Sequence, residues 1–299
     1  MTDIAIPSGK NIQRPLYGIG LMLVSIGIYS LQDAIAKHLT SDYSAVQILF
    51  FRAVGALLIL LPLINHVPKG GWITKHPWLM LLRCAVGAGG MACYIIAYRT
   101  MSLADVSAVG FSGVLMVTAL SMAILKERVD WHRWLAIVIG FVGVLIILRP
   151  GLGVFSTGAT WSLIGALGFA IMTLALRVLT RTEHPVMITL YFTVFSIVVL
   201  GAFLPALWRA PDAAGFAWLL GQGLFCGVGQ VLMSSSLKAA PASTVSPFTY
   251  TIIIYGLIIG YFWFGDVPDP IMLVGVSVLI GSCLYIARRE QLDARAAPL

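Results

Sequence analysis

Charge is what this chain has least of. Lys, Arg, Asp and Glu make up 10% of its 299 residues against 59% hydrophobic residues, and only 12 side chains are acidic. That balance excludes a soluble globular protein. The longest polar stretches are the 66–76 segment and the tail from Arg288, so no domain is expected outside a membrane to catalyse, to bind nucleic acid or to sense a ligand. Cysteine is scarce as well. Cys84, Cys93, Cys226 and Cys283 all fall inside apolar runs and show neither a disulfide framework nor metal-ligand spacing; they are expected as small buried hydrophobes. His38, His66, His76, His132 and His184 lie at or beyond the ends of those runs. No buried nucleophile–base set therefore points to an enzyme, and no metal or cofactor site is expected. A ring of like charges or a repeated filter sequence, the marks of a channel, is also missing.

What is abundant is apolar length. Ten runs, at 15–38, 44–64, 77–98, 103–125, 132–148, 158–178, 185–207, 215–237, 242–264 and 269–287, approach the ~20 residues that a helix needs to cross about 30 Å of hydrocarbon. Backbone groups in lipid must be satisfied within the segment, so all ten are predicted as helices. The first run is too long for a signal-peptide core and lacks a convincing cleavage site, so it counts as a span. With ten spans, 13 of the 19 basic residues fall on the amino-terminal side of the bilayer and four (Lys37, Arg99, Arg149, Arg209) on the other, leaving Arg52 and Arg83 inside. The excess predicts cytoplasmic termini in a cytoplasmic membrane.

The chain also repeats. Trp78-Leu79 returns as Trp218-Leu219 and Gly87-Ala88-Gly89 as Gly227-Val228-Gly229, both at a shift of 140; Leu125-Lys126-Glu127 aligns with Phe264-Gly265-Asp266 at 139. Each half, 15–148 and 158–287, holds five predicted spans, an odd number, so the second half is expected to cross upside down relative to the first. Two inverted five-helix repeats in an all-α membrane protein, followed by a cytoplasmic tail at 288–299, make the architecture of an alternating-access carrier.

Particular residues carry a family resemblance. Lys37 ends span one, Phe51-Arg52 lies in span two, and Leu125-Lys126-Glu127-Arg128 closes span four. Gly140-Phe141-Val142-Gly143-Val144 leads to Arg149-Pro150-Gly151, and Phe264-Gly265-Asp266 closes span nine. In that order they resemble the EamA-type branch of the drug/metabolite transporter superfamily, with YddG-like amino-acid exporters similar in overall form. The resemblance implies a carrier in the lipid bilayer for a small-molecule substrate.

Polar residues inside spans are expensive and usually face a bundle interior or water. Ser25, Tyr29, Gln32, Asp33 and Lys37 share one face of span one, and Arg83, Gly87, Gly90, Tyr94 and Tyr98 one face of span three. Tyr29, Arg83, Gly90, Tyr94, Trp161, Gln222, Gln230 and Tyr250 are the candidate substrate-binding residues. Asp33 and Arg52 lie at matching depths on antiparallel neighbours, so a structural ion pair between them is expected. Bland alternatives stand beside these readings. Glycines at 87 and 90 suit helix packing alone, Trp161 suits interfacial anchoring, and Lys37 suits snorkelling to the headgroups. Arg83 suits either snorkelling or a fork for a substrate carboxylate.

The expected function is export of small metabolites, foremost amino acids, by rocking of the two halves. The alternative is uptake of a larger metabolite such as S-adenosylmethionine or riboflavin, which the aromatic content suits equally. Asp33 is the only carboxylate well inside a predicted span, which favours facilitated transport over proton antiport. Gly275 and Gly281 in span ten permit a homodimer.

Overall fold

The computed structural model describes residues 15–62, 73–125, 131–148, 157–180, 182–240 and 242–296. Among the described residues twelve α-helices follow in chain order: α1 (Pro15–Leu39), α2 (Ala45–Leu60), α3 (Pro77–Ala97), α4 (Leu103–Gly110), α5 (Ser112–Leu125), α6 (Trp131–Leu148), α7 (Thr157–Leu179), α8 (Pro185–Leu207), α9 (Ala213–Ala239), α10 (Ala242–Val245), α11 (Thr251–Ile259) and α12 (Pro270–Ala296). No strand occurs among the described residues. Six helical stretches there are long and apolar enough to cross a membrane, namely α1, α3, α4–α5, α7, α8 and α9; the apolar helices at Ala45–Leu60, Trp134–Ile147, Phe248–Phe264 and Pro270–Tyr285 are shorter. Of the motifs above, Lys126-Glu127-Arg128 and Arg149-Pro150-Gly151 lie outside the described residues.

Three elements differ from the sequence expectation. The run 103–125 is broken between α4 and α5, where the Phe111 amide donates to both Ser107 O and Ala108 O and Val114 N starts afresh from Phe111 O. The run 242–264 is broken more severely. A 3₁₀ turn at Ser246–Tyr250 follows α10, and a π turn at Gly260–Phe264 follows α11. Pro247 has no amide to continue an α-helical ladder. The π turn ends at Gly265, whose φ of 71° is left-handed and is available to glycine without steric cost. Finally, α12 runs on to Ala296 instead of ending near 287, because Ala, Arg, Glu, Gln and Leu in the tail all favour helix.

Packing follows small residues. A Cβ on Gly55 of α2 would lie 2.7 Å from the Gly223 backbone of α9, and one on Gly90 of α3 would lie 3.3 Å from Gly165 O of α7. Lipid gives no hydrophobic drive between helices, so such close approaches, gaining dispersion, are what hold them. Gly275 is used within the chain, set against Gly143 O and Ile147 of α6, whereas Gly281 has nothing within 4 Å. One end of the bundle carries the α1–α2, α3–α4 and α8–α9 turns and residues 265–269; we call it the distal end. The other carries residue 15, the start of α3, the α7–α8 turn and residue 240, and is the proximal end.

A split charge pair inside a central chamber

Between the helices lie two cavities, one of about 300 Å³ and one of about 230 Å³. Arg52 and Met91 line both, so the two adjoin across these side chains; together we call them the central chamber. The larger part is walled by α1, α2, α3, α4, α5, α7 and α11, with Tyr94, Tyr98, Phe111 and Phe169 as aromatic surface and Gly87, Gly90 and Gly165 as bare backbone. The smaller part lies among α1, α2, α3, α8 and α9 and includes Tyr29, Thr189, Thr193, Ser196, Cys226 and Gln230. Apolar walls with few convergent polar groups are the usual make-up of a small-molecule site.

Asp33 and Arg52 both face the larger cavity. They are not in contact: no nitrogen–oxygen approach within 4.0 Å joins them. Gln32 Nε2 donates to Asp33 Oδ1 at 3.0 Å, and Arg52 Nε donates to Cys226 Sγ at 3.4 Å. The expected pair is therefore split, one charge on each wall. Matching depth on neighbouring helices does not fix rotation about the helix axes, and here that rotation leaves a gap.

The other candidates divide. Tyr29 donates its hydroxyl to Gln230 Oε1 at 2.9 Å, tying α1 to α9 at the smaller cavity. Gly90 and Tyr94 line the larger one. Tyr250 does not line the chamber but packs against Phe111, which does, with ring centroids 5.0 Å apart. Trp161 packs against the buried cluster around Leu103 and Ala97. Gln222 is fully buried and donates to Ile48 O at 2.6 Å, so it fastens α9 to α2. Arg83 neither snorkels nor lines the chamber. It is 7% exposed, donates to Ile188 O at 3.4 Å and lies over the Phe192 ring at 5.3 Å. Lys37, too, does not snorkel: its Nζ meets Asp266 Oδ2 at 2.8 Å and sits 4.4 Å from the centroid of the Phe264 ring.

Sequence reading passed over two groups. Thr189, Thr193 and Ser196 form a hydroxyl stripe at helical spacing on α8 that was legible as such. The Lys37–Asp266 pair left no local signal, since its partners are 229 positions apart.

Comparisons with known proteins agree on the kind of molecule. At 25% identity over 279 residues, the chain is similar to the S-adenosylmethionine uptake transporter of Rickettsia conorii, covering 92% of this chain and 94% of that one. It is 26% identical over 296 residues to the riboflavin transporter of Rhizobium johnstonii, covering 97% and 95%. The pseudopaline exporter of Pseudomonas aeruginosa is 26% identical over 281 residues, covering 92% and 97%. A solved structure covers 91% of this chain with a TM-score of 0.64 at 12% identity, which speaks for the fold alone. The sequence profile of the EamA-like transporter family matches twice, at residues 16–149 and 156–288. The chain thus belongs to the EamA-like transporter family, a family of multi-pass membrane transporters and not of enzymes.

Proposed function

We propose that this protein is an alternating-access carrier of the bacterial cytoplasmic membrane, with ten spans in two inverted repeats (15–148 and 158–287), cytoplasmic termini and the distal end facing outward. The observation that carries this reading is the central chamber with its split Asp33–Arg52 couple, flanked by two interrupted helices in corresponding positions. Interrupted helices at matching places in two halves are the best pointer to a carrier's binding site. The breaks at Phe111 and at Ser246–Tyr250 fit this, and the Phe111 ring packs at a tilt on Tyr250, 139 residues further on.

Other contacts support the repeat in the same way. Gly18 approaches Ser236 and Ala240, and Gly158 approaches Ala97 and Met101; adding 139 to Ala97 and Met101 gives the first pair, and Gly18 maps within one residue of Gly158. Tyr29 on Gly229 likewise corresponds to Gly168 on Gly90. The orientation rests on the excess of basic residues at the proximal end and its loops.

The cargo is a small organic metabolite. The chamber's size, in the range of pockets for drug-sized ligands, favours one larger than a single amino acid, as the names of the relatives do. Those names include both uptake and export, so direction follows the gradient. Amino-acid export is the competing reading, favoured by the paired charges. Counterflow in proteoliposomes separates them. Saturable, trans-stimulated uptake of S-adenosylmethionine or riboflavin supports the larger cargo, and uptake of neutral amino acids alone supports the other. Absence of counterflow for all of these from folded protein counts against a carrier for either class.

A further inference from the structure

Resting on the carrier reading, we propose that the cargo bears an α-amino-carboxylate head held between Asp33 and Arg52, joined to a flat, uncharged body that lies in the larger cavity. Asp33 and Arg52 are the only charged residues lining either cavity among the described residues. Each keeps reach to spare. Oδ1 of Asp33 takes Gln32, the Tyr98 hydroxyl lies beside the same carboxylate, and the carboxylate lines the larger cavity. Nε of Arg52 takes Cys226, and the residue lines both cavities.

Opposite charges held apart in an apolar enclosure are costly unless something joins them. A simple cation satisfies Asp33 and leaves Arg52, and a simple anion does the reverse. An ammonium and a carboxylate on one carbon satisfy both at once and leave the chamber neutral. The guanidinium fork suits the two oxygens of a carboxylate, and the Asp33 carboxylate accepts from the ammonium. Beyond the couple, the larger cavity offers Tyr94, Phe111 and Phe169 as ring surfaces, the Tyr94 ring lying on Gly165. Ring surfaces suit a planar group, and among the described residues no further charge lines the cavity.

The test is ligand-induced thermal stabilisation of the purified full chain. The probes are L-tryptophan with tryptamine and indole propionate, which each lack one charge, and S-adenosylhomocysteine with methylthioadenosine, which lacks the head. At least one of the two zwitterions should stabilise the protein, and its single-charge or headless analogues should bind about tenfold more weakly, the cost of one lost charge-assisted contact. In Arg52→Gln the penalty for removing the carboxylate should vanish while that for removing the ammonium persists; Asp33→Asn should do the converse. The unliganded melting temperature checks folding, with Arg52→Lys as the second variant. Equal binding of the analogues, or stabilisation by neither zwitterion, overturns the clamp. Counterflow of riboflavin with the zwitterions ignored leaves the carrier standing and removes the clamp. Charge-dependent binding with no counterflow of any bound probe keeps the clamp and removes the carrier.

Discussion

Breaking the Lys37–Asp266 pair should open the distal end. The pair joins the last turn of α1 to the segment after α11, one partner from each half of the chain. Lys37 is 13% and Asp266 34% exposed at the side chain. That places the pair between exposed ion pairs, worth about 0.2–1 kcal/mol, and buried ones, whose one-sided loss costs about 3–5 kcal/mol. We take about 1.5 kcal/mol, which is a roughly tenfold shift of the closed–open equilibrium. Asp105 lies close enough to both partners to feel their charge, so removing the lysine also leaves two carboxylates facing each other. The assay places a single cysteine at Ser107, which lines the larger cavity, in a chain whose four native cysteines are alanine. An impermeant maleimide is then added from outside. Lys37→Ala should raise the labelling rate about tenfold, and the exchange Lys37→Asp with Asp266→Lys should bring it back toward the starting value. A rate unchanged by Lys37→Ala would refute the latch, and so would a charge exchange that labels as fast as the single variant.

Three further outcomes follow from the packing. Gly55→Val forces a side chain against the Gly223 backbone 2.7 Å away and should cost about 1–3 kcal/mol by overpacking, read as a lowered melting temperature in detergent. Glu183 accepts from Lys75 N at 2.6 Å and Thr74 Oγ1 at 3.0 Å while only 7% exposed; Glu183→Ala leaves both donors unmatched and should cost about 1–3 kcal/mol in the same assay. Gln222→Met removes the bond to Ile48 O near the distal end and Arg83→Met the bond to Ile188 O near the proximal end. At about 1 kcal/mol each, these should move Ser107→Cys labelling from outside roughly fivefold in opposite directions, up for Gln222 and down for Arg83.

Much of this molecule was legible because lipid imposes one length and one backbone solution. Apolar runs such as 77–98 and 185–207 return as α3 and α8 within a residue or two. Asp33 and Arg52 stood out for the same reason, since charge within a span needs a purpose. What they do to each other was not legible, because depth along a helix says nothing about the angle around it. The break at Phe111 carries little local signal, since a single glycine such as Gly110 is common inside a span, whereas Pro247 sits at the other break and lacks the amide a helical ladder needs. The tail misled by its charge, which suggested an end to α12 where its residues in fact prolong the helix. Lys37 misled by its position, since a lysine at a helix end looks the same whether it reaches for headgroups or for an aspartate on the other half of the chain.

On the inverted-repeat reading, one asymmetry describes the state of the molecule. Exchanging the halves carries the α2–α9 interface onto α8–α3, and with it Gln222→Ile48 O onto Arg83→Ile188 O, within one residue. The first is 2.6 Å and the second 3.4 Å. The same contrast appears in the backbone: Gly55 meets Gly223 at a distance that admits no side chain, while the counterpart positions hold Cys84, buried on α3, and Val194, exposed on α8. The smaller cavity lies beside that looser interface, lined by Ala88 on α3 and Thr189, Phe192 and Thr193 on α8. The distal end is further closed by Lys37–Asp266 and by Gln47, which accepts from Arg209 N and donates to Arg209 O. The arrangement is that of a carrier shut distally and loosened proximally. Transport then requires the two interfaces to exchange roles, with Arg83 drawing α8 inward as Gln222 releases α2.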